Sequence, residues 1–221
     1  FRRVLFRFGA CMELYTEKTG CPADDVMSSW IGHERDGIKG GHAFGLDQMI
    51  SDCLLLLDGG AETTRTVIAR TILNLMERPD EVAKLRAGAD LTIAVEEFIR
   101  YVTPIHNMCR SATRDVELHG KQIREGDQLL LMYSSANRDE THFERPEEFD
   151  VTRDPNLHLA FGFGTHFCVG SNLARMEIRI FFEEFLRRVG SWSPVPGTAP
   201  VEMPNAFVFG LKEALLRLEP A

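Results

Sequence analysis

Apolar positions recur at helical spacing from Leu46 to Arg78 with few breaks, and the pattern predicts one long helix. Pro79 suits the first turn of a new, short helix, where its missing N–H is not needed, so a helix is expected over RPDEVAKLRAG. A third helix runs from Leu91 to Tyr101 and closes before Pro104, because the residue ahead of a proline avoids helical backbone. Residues 11–19 read as the end of an earlier helix, followed by a loop with Gly20 and Pro22. Residues 24–40 read as mixed, since Gly32, Gly37, Gly40 and Gly41 interrupt any period.

Beyond Pro104 the texture changes. Residues 109–133 read as short strands joined by turns at His119–Gly120 and Gly126–Asp127. Residues 137–165 are mostly irregular, with Pro146, Pro155 and many polar side chains. Long loops of this kind are usually functional or disordered, and here Phe143, Phe149, Leu157, Leu159, Phe161 and Phe163 argue for order. A strongly apolar helix over residues 168–189 follows, and from Ser191 the tail is short strands and turns. The fold class is therefore mainly α with small β-sheets.

Composition narrows the choice of function. The 221 residues are 44 % hydrophobic and 26 % charged, the balance of an ordinary globular protein. Lys and Arg number 25 against 33 Asp and Glu, a net charge of −8, which argues against nucleic acid as a partner. The longest apolar runs, Cys53 to Leu57 and Leu129 to Tyr133, are far below the ~20 residues of a membrane span. Residues 1–8 carry Arg2, Arg3 and Arg7 but no long apolar stretch or cleavage site, so they are not a signal peptide; they read as a broken or extraneous segment ahead of residues 9–221. Cys11, Cys21, Cys53, Cys109 and Cys168 are odd in number and widely spaced, which speaks against a thiolate zinc site and for reduced thiols in the cytoplasm. The first four read as small buried hydrophobes.

Cys168 differs. It stands among Gly162, Gly164 and Gly170, with Ser171 following, immediately before a predicted helix. Glycine lets backbone approach a flat ligand, and a helix N-terminus presents free N–H groups and positive potential that favour a thiolate. A thiolate with no second cysteine nearby cannot form a zinc finger or an iron–sulfur set, but it can be the lone axial ligand of a haem iron; a plain buried Cys in a turn is the alternative. Phe161, Gly164, His166, Cys168 and Gly170 resemble, at every fixed position, the haem-binding loop Phe-x-x-Gly-x-His/Arg-x-Cys-x-Gly of the cytochrome P450 family.

Two further segments fit the resemblance. Gly59 and Gly60 are adjacent in a predicted helix interior, each costing about 1 kcal/mol against alanine, which a helix tolerates where something lies close or where it bends. Taken alone the segment could equally be a capped helix break with a surface Glu. Beside the haem loop, it resembles the family's oxygen-binding motif, with Gly60 in the groove, Glu62 at the acid position and Thr63 at the threonine position. Cleaving dioxygen needs two protons, which a hydroxyl and an acid linked to water can relay. Glu97 and Arg100 lie one helical turn apart and read locally as a surface ion pair. The resemblance makes them a structural pair beneath the haem, whose usual third member is an Arg in Pro-Glu-Arg-Phe. Here that stretch is Pro146-Glu147-Glu148-Phe149, so Glu148 stands at the arginine position and Arg153 is the candidate substitute.

The resemblance implies haem b as cofactor, propionate contacts from Arg110, His158 and His166, and a donor-facing role for Arg175. Pocket candidates are Leu56, Gly59, Val102, Ile105 and Phe207, each of which could instead be plain core. The likeness spans residues 40–221 in the family's motif order, the positions expected in the C-terminal part of a chain about twice as long. The wording at 103–110, 158–170 and 204–211 is similar to soluble actinobacterial sterol and steroid side-chain hydroxylases. The implied activity is insertion of one atom of O2 into a C–H bond of an apolar small molecule by a monomeric enzyme. Its electrons would come from NAD(P)H through ferredoxin reductase and ferredoxin. A peroxide-using haem-thiolate enzyme, against which Glu62 and Thr63 speak, and a fragment that holds no haem are the alternatives.

Overall fold

Why residues 26–36 are helical is visible just before their start: the Asp25 carboxylate accepts the Ser28 N–H at 2.8 Å while the Ser28 hydroxyl accepts the Ala23 N–H at 3.0 Å. This reciprocal cap satisfies donors that a helix start leaves open. In the computed structural model, which describes residues 2–36 and 45–221, Val26–Asp36 is accordingly helix α2, with Gly32 inside it. The mixed reading of residues 24–40 is thereby corrected over residues 26–36; Gly37, Gly40 and Gly41 lie outside the described residues.

Two compact units meet in sequence at Ala61 and Glu62. The first contains α1 (Arg2–Gly20), α2 and the first half of α3 (Leu46–Met76). Residues 2–8 continue into 9–20 as one helix, and Arg7 pairs with Asp58. Cys11, Met27, Ile50 and Cys53 form its core, joined by partly buried Met12, Tyr15, Trp30 and Leu54. Burial first, and then the hydrogen bond with Cys53, push the Cys11 thiol up to about 12. All five cysteines are unbridged. Cys21 and Cys109 are exposed rather than buried, so only two of the four cysteines read as core hydrophobes are so used.

The second unit begins with the rest of α3. Then come α4 (Pro79–Arg86), with proline in its first turn, and α5 (Leu91–Val102). Asp90 caps α5 by accepting the Thr92 N–H at 2.7 Å. At the far end Thr103 adopts φ 42°, unusual for a β-branched residue. Its hydroxyl donates to the Arg100 carbonyl at 2.6 Å and accepts from Asn137 at 2.9 Å, which holds the turn in place.

The strands follow as antiparallel pairs. β1 (Asn107–Ser111) lies against β4 (Gln128–Met132), and β2 (Val116–Leu118) against β3 (Lys121–Ile123). His119 and Gly120 both have positive φ, which matches the right-handed twist of a tight hairpin. Beyond the one-turn helix α6 (Tyr133–Ala136), residues 137–163 are irregular and lead to a 3-10 turn at Gly164–His166. α7 (Ser171–Arg188) then leads into β5 (Val189–Pro194), which pairs with β8 (Leu216–Pro220), while β6 (Val201–Glu202) pairs with β7 (Leu211–Glu213). The core sits between α5, α7 and α3: Phe98, Phe149, Val151, Ile178, Phe182 and Leu75 are almost fully buried within it. Of the apolar residues expected to order the long loop, Phe143 and Phe149 are buried, whereas Leu157, Leu159 and Phe163 are exposed, Phe163 at 86 %. Polar contacts hold the loop alongside these buried rings.

Candidate haem-thiolate site

Residues 158–171 form the loop that carries Cys168. Gly162 and Gly164 both have φ +72°, a region that penalises any Cβ. A methyl group at Gly162 would lie in ordinary contact with the His166 carbonyl at 3.5 Å and the Tyr133 hydroxyl at 3.6 Å, so the cost of a side chain there comes from the backbone. Cys168 donates its N–H to the Phe161 carbonyl at 3.0 Å, and its own carbonyl accepts from Ser171 at 3.3 Å, where α7 begins. The thiol side is exposed, as are Phe163, Phe167 and Val169 around it. A single accessible thiol at a helix start, ringed by apolar surface and glycines, suits a flat macrocycle with one axial thiolate. No cluster of three His, Cys, Asp or Glu side chains exists among the described residues, so a multi-ligand metal-ion site does not compete. The residues present fit haem. His166 is exposed within the 3-10 turn, and Arg110, on β1, donates to the Cys109 carbonyl at 2.8 Å.

Beneath this loop two consecutive glutamates of α5 each hold a network. Glu97 and Arg100 are fully buried, not a surface pair: Nε and Nη2 of Arg100 donate to the two Glu97 oxygens at 2.7 and 2.8 Å. Arg100 also donates to the carbonyls of Asn137, Pro146 and Glu148. Arg153 completes the set, its Nε 3.2 Å from Glu97, while Glu148 turns outward to Arg145. Asn156 and the Asp150 N–H reach Glu97 as well.

Glu96 carried no sequence signal of its own beyond its place beside Glu97. It accepts both arms of Arg175, at 2.6 and 3.0 Å, and it meets His158 Nε2 at 3.1 Å. Burial pushes the Glu96 carboxyl up, but the hydrogen bonds from His158 and Arg175 outweigh it and hold the group at about 2. His158 has a buried side chain whose Nδ1 accepts the Ala160 N–H at 3.3 Å. That arrangement places the proton on Nε2, with Glu96 as its acceptor. Arg175, expected to face an electron donor, is tied to Glu96 and stacks on Phe161 at 4.6 Å, with about a third of its side chain exposed.

Glu62 and Thr63 are half-buried on α3, and Glu62 pairs with Arg65. Helix α3 runs unbroken through Gly59 and Gly60, where a Cβ would meet nothing within 4 Å among the described residues. Leu56, Gly59 and Gly60 are exposed residues of the first unit. Val102 is 3 % exposed and packs in the core. Ile105 bridges Val208, and the His106 N–H donates to the Phe207 carbonyl at 2.9 Å, leaving the Phe207 ring 41 % exposed. Arg70 anchors this segment by donating to the Phe209 carbonyl at 2.8 Å and stacking on its ring at 3.2 Å.

The sequence profile described as Cytochrome P450 matches residues 24–219. This chain belongs to the cytochrome P450 family. It is 39 % identical over 200 residues to a steroid C26-monooxygenase of Mycolicibacterium smegmatis, covering 90 % of this chain and 49 % of that protein. It is likewise 39 % identical over 181 residues to the biotin biosynthesis cytochrome P450 of Bacillus subtilis, covering 81 % of this chain and 44 % of that one. The crystal structure of CYP109E1 from Bacillus megaterium in complex with testosterone superposes with a TM-score of 0.83 at 33 % identity, over 95 % of this chain and 57 % of that chain. The hydroxylase HmtN, involved in himastatin biosynthesis, gives 0.88 at 32 %, over 98 % and 58 %. The P450 chain thus spans about half the length of the curated relatives it matches. No described helix is long and apolar enough to cross a membrane.

Proposed function

We propose that this P450 chain carries the haem-thiolate site of a monooxygenase that inserts one atom of O2 into a C–H bond of an apolar small molecule, a sterol or steroid side chain being the favoured class. The observation that carries it is the accessible Cys168, the one thiol in a positive-φ glycine loop at the start of α7. The relatives named steroid C26-monooxygenase and the testosterone complex support the substrate class. Haem b, when bound, supplies the iron centre at which O2 is reduced with electrons from NAD(P)H, delivered through ferredoxin reductase and ferredoxin.

The chain's own residues do the rest. Cys168 would hold the haem iron through its thiolate, and the Gly162 and Gly164 backbone would leave room beside it. His166 and Arg110 would offer cationic or N–H donors to the propionates. Thr63 would contribute a hydroxyl and Glu62 a carboxyl to the relay of protons. Ile105 and Phe207, held in register by Arg70, form part of the apolar wall.

The test is absorption of the haem-loaded, reduced, carbon-monoxide-treated protein. A thiolate-type Soret band that Cys168→Ser abolishes is expected; a band at the imidazole-ligated position in the unsubstituted protein rejects the assignment. In turnover with redox partners, Thr63→Ala is expected to retain haem and substrate binding while diverting electrons to hydrogen peroxide. Unchanged coupling removes Thr63 from the relay, and product formed with peroxide but never with reductase partners favours the peroxide-using alternative.

A further inference from the structure

Glu96 has no role in the reading above, yet it sits where two ends of the cysteine loop converge. From the start of the loop comes His158, which gives its Nε2 proton to Glu96. From α7, beyond the loop, comes Arg175, bound through two parallel N–H donors. Charge-assisted, bidentate pairs of this kind are among the stronger and most directional polar contacts. Both arms also grip one ring: Phe161 lies 5.8 Å from the His158 ring and 4.6 Å from the Arg175 guanidinium. The carbonyl of that same Phe161 accepts the Cys168 N–H, and its ring meets Phe167. The residues between, Phe163 to Val169, are exposed. Successive residues of a helix point about 100° apart, so Glu96 serves this loop while Glu97 serves the segment 137–156.

We infer that Glu96 is a positioning residue, which clamps the Cys168 loop to α5 and α7 through His158, Arg175 and Phe161 so that the thiol is presented in one place. Its purpose rests on the haem-thiolate reading; its existence rests on the contacts alone.

Amide hydrogen exchange on the 221-residue chain without haem tests it, because exchange reports local opening residue by residue. The reporters are the N–H groups of Gly162 and Cys168, which donate to Leu159 and Phe161. Glu96→Ala and Glu96→Gln are expected to speed their exchange by about tenfold or more, the loss of one charge-assisted contact, with Phe98 and Phe182 in the helices unchanged. Glu96→Asp, which keeps the charge on a shorter arm, is expected to restore part of the protection. Arg175→Lys keeps the charge but loses the fork, so it should open the loop too, and it carries the test if Glu96→Ala does not fold. Unaltered Cys168 protection in folded Glu96→Gln and Arg175→Lys overturns the clamp. With haem added, Glu96→Gln should lower the fraction showing the thiolate-type carbonyl spectrum. If the unsubstituted chain shows no such spectrum but the variants still open the loop, the monooxygenase reading falls and the clamp stands. If the spectrum is present and neither it nor the exchange responds to Glu96→Gln, the clamp falls and the reading stands.

Discussion

Glu97 is fully buried and accepts from Arg100, Arg153, Asn156 and a backbone N–H. Removing one partner of a buried ion pair leaves an uncompensated charge, and Arg100→Ala is expected to cost about 3–5 kcal/mol in denaturant unfolding. Arg153 sits at the edge of the same network with a single contact to Glu97, so Arg153→Ala should cost less, about 1–2 kcal/mol. Equal losses would show that the two arginines share the load. The i,i+3 spacing made the Glu97–Arg100 pair legible, but not its burial, because local sequence contains no measure of what later packs above a helix. Arg153 was legible only as a candidate. Its reach depends on the path of residues 144–153, which turns Glu148 outward and brings Arg153 in. The contact between His158 and Glu96 was not legible for a related reason: a motif position shows where a residue lies on the chain, whereas Glu96 is 62 residues away.

Glycines separate elements whose backbone needs them from elements that only tolerate them. In α3 the Gly60 backbone is ordinary helix with open space beside it, so Gly60→Ala is expected to raise the thermal midpoint through roughly 0.5–1 kcal/mol of recovered helix propensity. In the cysteine loop, Gly162→Ala should destabilise by about 1–2 kcal/mol or more, since φ +72° is costly for alanine. A fall in midpoint for Gly60→Ala would mean that the helix depends on its flexibility there. Helices α3, α4 and α5 were legible within a residue or two, because Pro79 and Pro104 punctuate an apolar period that little else could satisfy. The β2–β3 hairpin was legible from His119–Gly120, and the turn into β4 from Gly126–Asp127. Helix α2 was not, because glycine counted against it while the Asp25–Ser28 cap, which outweighs one isolated glycine, went unread.

At the scale of the whole chain, the order of motifs indicated the family, and the matches to relatives agree, with the chain spanning about half of each. What sequence did not reveal is that the buried apolar side chains form two cores. Helix α3 is continuous, but its two halves belong to units with separate cores: a small one around Cys11, Met27, Ile50 and Cys53, and a much larger one around Phe98, Ile178 and Phe182. A periodic apolar pattern shows which face of a helix is buried, not which of two cores buries it. Cooperative units with fewer buried apolar side chains open at lower free energy, so amides of α1 and α2 are expected to exchange faster than those of α5 and α7 by orders of magnitude. Ile50→Ala sharpens the test. Truncating a 3 % exposed side chain typically costs about 2–5 kcal/mol, enough to remove protection from a small unit. Exchange in α1 and α2 should then approach that of unfolded peptide, while α5 and α7 retain theirs. Loss of protection in α5 and α7 in step with α1 would show instead that the whole chain unfolds as one cooperative body.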